Sequence, residues 1–281
     1  MPKATLSPRQ YNANKRHARL FLTAFASLGM LSLSSLSAHA STLISSKEYL
    51  EYELPTSIQQ RCYEKENCPE IDIEYIKTNH NWINNIVNAR INNIVINSQP
   101  TEAAFNKADS KTAATTALDN FVSSQYIDLP DDVPWGYSLM VKPDYLGHVE
   151  RFETFEINAY VFTGGAHGMP FNEYFVFDSQ TKKQVKLADM LLKNQKPRFE
   201  ALAHKAYQAW IKTLDEDVES YEQSWPFTLS DNVTLTDKGI DIGYQHYEIA
   251  PYAYGMPVLS IPYSQLQGII KPAYLLTSSA P

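Results

Sequence analysis

Hydrophobic residues along the chain change their period several times, and each change marks an element. In EIDIEYIKT (Glu70–Thr78), Ile71, Ile73 and Tyr75 alternate with charged neighbours, the two-residue period of a half-buried strand. From Asn81 the period lengthens: Ile83, Ile86, Val87, Ile91, Ile94 and Val95 recur at helical spacing until Pro100 stops the run. A second helix is expected over residues 102–125, with a thinner stripe of Phe105, Ala108, Leu118, Phe121 and Val122. After the turn-forming DLPDDVPWG (residues 128–136) strands dominate: GYSLMVKP, HVERFETFEINAYVFT and NEYFVFD read as an antiparallel set. A turn at SQTKKQ leads to VKLADML. Phe199, Leu202, Ala203, Ala206 and Trp210 then mark a helix over residues 197–214 that lays one face on a sheet. Short strands in FTLSD, GIDIGY and PVLSIPY, and a last helical turn around Leu266, complete the pattern. The expected fold is α+β, an antiparallel sheet with helices packed on one face and a helical N-terminal section.

The first 40 residues follow a different logic. Lys3, Arg9, Lys15, Arg16 and Arg19 precede an apolar run diluted by serine (residues 20–36), and Ala38-His39-Ala40 supplies a small-residue cleavage pattern. This is the form of a secretory signal peptide, so the protein is expected to be periplasmic or otherwise extracytoplasmic, with no membrane span after cleavage. Three sections result: a signal peptide (1–40), an N-terminal strand-helix section (41–135) and a C-terminal domain (136–281).

Export changes the charge balance. The whole chain carries a formal −7; removing the five basic residues of the leader leaves 19 basic against 31 acidic residues, about −12. Nucleic acid is thereby disfavoured as a partner, whereas a basic protein is attracted. Cys62 and Cys68 bracket a five-residue loop, and in an oxidising compartment a disulfide is expected between them.

No standard catalytic motif in the sequence assigns an enzyme. A Gly-x-Ser-x-Gly elbow is absent, and neither cysteine is expected to be free as a nucleophile. His80, His148, His167, His204 and His246 are scattered singly; His167 and His246 could meet in space beside Glu248, but two unlinked histidines specify no metal. Asp215-x-Asp217-x-Glu219 begins like a calcium loop, yet Ser220 replaces the required glycine and Pro226 stands where the bidentate acid belongs. No cofactor is implied. Paired carboxylates of a glycan-modifying hydrolase stay open, with nothing singling out a pair.

Three stretches together resemble a known family: YVFTGGAHGMPFNEYFVFDSQTKKQVKLADML (160–191), YEIAPYAYGMPVLSIPYSQL (247–266) and the strand-helix section from Glu70. They are similar to the RsiV family of bacterial extracytoplasmic domains, a domain type shared by a lysozyme-binding anti-sigma factor and a peptidoglycan deacetylase. The chain shows neither a sigma-binding segment with an internal membrane helix nor a deacetylase domain, so neither activity is expected. What the resemblance implies is recognition of a lysozyme-type muramidase or a cell-wall glycan. The candidate ligand-binding residues are Thr163, Gly164, Gly165, His167 and Gly168 in one loop, and Tyr247, Pro251, Tyr252 and Gly255 in another. The three loop glycines are expected at positive φ, where they expose backbone N–H groups. Competing readings make His167 a turn-fixing side chain, Tyr247 and Tyr252 packing residues, and the whole a structural envelope domain.

Overall fold

The computed structural model describes residues 43–100, 104–128 and 133–276; the expected signal peptide lies outside the described residues. The main sheet has six strands in chain order: β1 (Ser45–Tyr49), β2 (Glu70–Thr78), β3 (Ser138–Val149), β4 (Phe152–Phe162), β5 (Met169–Asp178) and β6 (Lys183–Val185). The fold is mixed α and β, as the periodicity indicates. Of the five pairings, only β2 with β3 is parallel. Two helices, α2 (Asn81–Asn97) and α3 (Lys111–Asp128), form the long crossover that a parallel pair requires. The boundary expected at residue 136 therefore falls between two adjacent strands of one sheet.

α2 and α3 bury Ile83, Val87, Ile91, Leu118, Phe121 and Val122 against one face of the sheet, where Leu139, Val141, Phe155, Ile157, Phe175 and Phe177 point. The helix α1 (Thr56–Lys65) adds Ile58 to this cluster. A second apolar cluster is built from α4 (Leu187–Met190), α5 (Lys196–Lys212), α6 (Val218–Ser224) and a three-stranded antiparallel sheet of β7 (Val233–Leu235), β8 (Gly239–Gly243) and β9 (Val258–Pro262). It meets the main sheet through Phe152, Val176 and Val185, and Gly243 of β8 packs against the Tyr174 ring of β5.

Asparagines on α2 complete the sheet. The ladder between β2 and β3 stops at Ile73, and beyond it the side chain of Asn88 takes both the N–H (2.9 Å) and the C=O (3.0 Å) of Ile76. One turn earlier, Asn84 does the same for Thr78, at 2.8 and 3.0 Å. The match is geometric: residues four apart on a helix are separated by about 6 Å, nearly the roughly 6.6 Å between alternate strand residues. Further along α2, Asn93 and Asn97 hold the carbonyl of Asn106, and Asn93 also that of Ala108.

Those last bonds explain one departure from the sequence reading. The helix expected over 102–125 starts at Lys111 because the preceding carbonyls are engaged by α2, and Phe105 is left exposed; residues 101–103 lie outside the described residues. HVERFETFEINAYVFT is likewise not one strand. The chain reverses at Glu150 (φ 53°), giving the β3–β4 hairpin. FTLSD is irregular and the strand follows it, as β7. Cys62 and Cys68 form the expected disulfide, tying the last turn of α1 to the start of β2. No described helix is long and apolar enough to cross a membrane.

Candidate functional site

The six residues 163–168 connect β4 to β5. Gly164 and Gly165 hold φ of 100° and 90°, in the region that glycine adopts without a steric cost. Gly168 differs from expectation: it has no positive φ, and its lack of a side chain serves packing instead. A Cβ there would lie 2.3 Å from the Tyr160 ring, so the phenol rests directly on the Gly168 backbone.

The second loop approaches from the other side of β5. Gln245 binds the free edge of that strand with both ends of its amide, accepting from Asn172 N (3.1 Å) and donating to Asn172 O (2.6 Å). Asn232 acts similarly beside it, accepting from Tyr174 N at 2.7 Å and donating to Asn172 O at 3.1 Å. With the edge so occupied, the chain turns at Tyr247, a non-glycine residue at φ 65°, and Glu248 accepts the Gln245 N–H at 2.9 Å. Pro251 then leads into a 3-10 turn (Tyr252–Tyr254) that ends on Gly255, at φ 72°.

These two loops meet through stacked rings. His167 lies 3.7 Å and His246 4.3 Å from the centroid of Tyr252, both within about 20° of parallel (19° and 21°). Two imidazoles cannot share one face of a phenol at those separations, so they sit on opposite faces with Tyr252 between them. The Tyr252 hydroxyl donates to Gly168 O at 3.1 Å, and His167 Nδ1 reaches the same carbonyl at 3.0 Å. Because a carbonyl only accepts, Nδ1 carries the proton, and Nε2 faces the Tyr247 hydroxyl at 3.5 Å. The turn-fixing reading of His167 is thus part of the geometry, together with a contact that links both loops.

His246 has a buried Nδ1 with no hydrogen-bond partner. Protonation would place an N–H there, and burial first, then the neighbouring His167, hold its pKa below the ordinary value. The pair offers no metal site: among the described residues, no group of three His, Cys, Asp or Glu side chains is arranged to hold an ion.

Thr163, Pro251, Tyr252 and Gly255 are half-buried, whereas Gly165, His167 and Tyr247 are exposed, Tyr247 at 48%. The surface continues from Tyr247 to Trp225 (6.5 Å between centroids) and from Tyr254 to Trp210 and Tyr221 (6.3 Å each). Tyr254 also donates to Glu216 at 3.1 Å, which attaches the acidic α5–α6 junction to the same loop. Within that junction Asp217 caps α6 by accepting the Ser220 N–H at 3.0 Å, so the calcium-like spacing encodes a helix start. The hydrogen bonds from Ser220 also lower the Asp217 pKa.

A groove of about 440 Å³ opens beside the loops, walled by Arg90, Asn97, Phe105, Tyr160, Met169 and His246. Sequence reasoning weighed His246 only as a metal ligand and missed Tyr160, Trp225 and Gln245. Tyr160 had one readable signal, its position in the strand that opens the glycine loop. Gln245 had none, since its role depends on an unpaired edge created elsewhere in the chain.

Comparisons with known proteins fit this architecture. A family described as "Protein of unknown function (DUF3298)" matches residues 188–264, from α4 to the start of the turn after β9, including the Tyr252 loop. The crystal structure of a DUF3298 family protein from Pseudomonas aeruginosa PAO1 is similar at a TM-score of 0.58, with 25% identity over 83% of this chain and 94% of that one. A DUF3298 family member from Bacteroides fragilis NCTC 9343 shares the fold at a TM-score of 0.58 and 17% identity, over 83% of this chain and 96% of the other. No curated protein matches the chain.

Proposed function

We propose that this chain is an exported, non-catalytic recognition protein that binds a basic, lysozyme-type muramidase outside the cytoplasm. The contact surface is formed by residues 163–168, residues 247–255 and the acidic α5–α6 junction. One observation carries the reading: Tyr252, stacked between His167 and His246, joins two loops distant in sequence, with Tyr247 packed beside its ring and Tyr254 bonded to Glu216. Rigid aromatic side chains at the centre of a patch, with charge at its rim, are the composition of a protein interface. Export rests on the basic-apolar-small pattern of residues 1–40 and is supported by the disulfide.

The test is surface plasmon resonance with immobilised residues 41–281, injecting a lysozyme, an unrelated basic protein of similar size, and soluble peptidoglycan strands. Saturable binding of lysozyme alone is the expected result. Failure of lysozyme to bind at concentrations up to about 100 μM would overturn the proposal. Turnover of the peptidoglycan, lost on replacing a single carboxylate, would identify a glycan hydrolase instead.

A further inference from the structure

Positive charge in this acidic chain is gathered in one stretch. Lys182, Lys183, Lys186, Lys193, Lys196 and Arg198 fall within 17 residues that contain a single acid, Asp189, whereas the rest of residues 41–281 holds 13 basic against 30 acidic residues. Tertiary bonds bring in a seventh cation. Leu192 donates its N–H to Ile269 O at 2.9 Å, Lys271 donates its N–H to Met190 O at 2.8 Å, and the Lys271 ammonium reaches the Asp189 carbonyl at 2.6 Å. Arg198 closes the same junction through Gly268 O at 3.4 Å. All seven side chains are exposed. None of them pairs with a carboxylate among the described residues, whereas Lys47, Lys77, Arg90, Lys142 and Arg151 each do. The acids at the margin are Glu150 beside Arg151, Glu200 on α5, and Asp231 across a groove from Lys186. With Asp189 they number four against seven.

The stability of the fold does not account for this clustering. The first turn of α5 holds Lys196 and Arg198 and no acid, although the positive end of a helix dipole disfavours cations there. That end of the helix adds to their field instead of balancing it. The kind of anion follows from the side chains. Six of the seven are lysines, mobile point charges that lack the planar fork with which arginine grips one phosphate in a fixed geometry. No large exposed aromatic stands among them to stack a nucleic-acid base. They also come from separate segments: the β5–β6 turn, β6, both flanks of α4, the start of α5 and residue 271. A broad patch of mobile cations fits a plane of many phosphate headgroups. Position adds a consequence. β5 runs from the glycine loop to this patch, about 30 Å over ten residues, and α5 runs from the patch to the acidic junction, about 25 Å over 17. The acidic junction is thus several Debye lengths away and does not cancel the patch.

We propose that this basic surface docks the protein on an anionic phospholipid bilayer, with the two loops and the acidic junction turned away from the lipid. The lipid contact does not depend on the muramidase reading. Sedimentation of residues 41–281 with vesicles tests it, comparing pure phosphatidylcholine with vesicles holding about 30 mol% phosphatidylglycerol, at about 50 and about 500 mM salt. Binding is expected to the anionic vesicles alone and to be lost at the higher salt. Replacing Lys183, Lys193 and Lys196 together by Gln should weaken it at least tenfold, since each lysine near the surface contributes about that factor or somewhat less. Lys107→Gln with Lys212→Gln, which removes exposed lysines outside the patch, should bind vesicles as the wild type does. The triple variant should keep its melting temperature and its affinity for lysozyme, so failure of either reading leaves the other standing. No wild-type binding up to about 1 mM anionic lipid, equal binding to phosphatidylcholine, or unchanged binding by the folded triple variant would each overturn the proposal. Capture of duplex DNA at low salt with the vesicles left unbound would overturn it in favour of a nucleic acid.

Discussion

Tyr252 lies flat against His167, 3.7 Å between ring centroids, and donates a hydrogen bond to the carbonyl of the next residue, Gly168, at 3.1 Å. Ring and hydroxyl thus act on the same turn. The two contributions separate by substitution: Tyr252→Phe keeps both stacks and loses only the donor, whereas Tyr252→Ala also frees His167 and His246. If this contact organises the binding surface, Tyr252→Ala should raise the lysozyme dissociation rate about tenfold or more, and Tyr252→Phe by a smaller factor. Equal rates for both variants and the wild type would make the loop pair a structural join. Thermal melting of each variant separates a lost contact from a lost fold.

Much of this arrangement was legible in the residues before the structure. β2 runs from Glu70 to Thr78 as its alternation predicts, and α2 spans Asn81–Asn97. Both follow from local period, which a sequence states directly. The parallel join of β2 to β3 did not follow, because a run of strands after a helical section is equally compatible with an antiparallel start. Polar side chains that replace backbone partners were hidden as well. NWINNIVNARINNIVIN holds an unusual density of asparagine for a helix interior, where asparagine has poor propensity, and that excess was the available signal. What the asparagines bind depends on where a strand ladder stops, a tertiary fact.

Asn88 offers a direct test of that ladder. It satisfies both backbone groups of Ile76, a residue only 2% exposed. Asn88→Ala removes both bonds and leaves an inner strand position with an unpaired donor and acceptor. The expected cost is about 2–4 kcal/mol, larger than the helix propensity that alanine gains. Urea unfolding should show this as a lower midpoint at unchanged slope. Asn85→Ala, on the exposed side of the same helix, is the control and should be neutral or slightly stabilising. Matching midpoints for the two variants would deny the asparagines a role in sheet completion.

His246 gives the fold a pH dependence with a defined sign. Its native pKa lies below the ordinary 6.5 because of burial and the nearby His167. As pH falls through about 6.5 the unfolded chain takes up the proton before the native protein does, so acidification favours unfolding. The contribution is fully present above that pH and is lost progressively below it, down to the native pKa. His246→Phe keeps an aromatic ring against Tyr252 and removes the titration. Between pH 8 and pH 5 the wild-type melting temperature should fall further than that of the variant. Parallel curves, or a wild type that gains stability on acidification, would show that His246 does not titrate in this environment.

The acidic junction should act on the encounter and the stacked loops on the complex. Asp215, Asp217 and Glu219 occupy an exposed turn and first helical turn, and Glu216 next to them bonds Tyr254 at the edge of the aromatic patch. Exposed charges of this kind gain little from any single contact in water, but together they raise the local concentration of an oppositely charged partner. Neutralising Asp215 and Glu219 as Asn and Gln leaves the Asp217 cap intact and should lower the lysozyme association rate severalfold at low salt, with the dissociation rate nearly unchanged. The difference should shrink as ionic strength rises, since the Debye length falls to about 8 Å at physiological salt. Tyr252→Ala should show the opposite pattern, a faster dissociation that salt hardly alters. An association rate insensitive to both the acidic substitutions and salt would remove the acidic junction from the interface and confine recognition to the two loops.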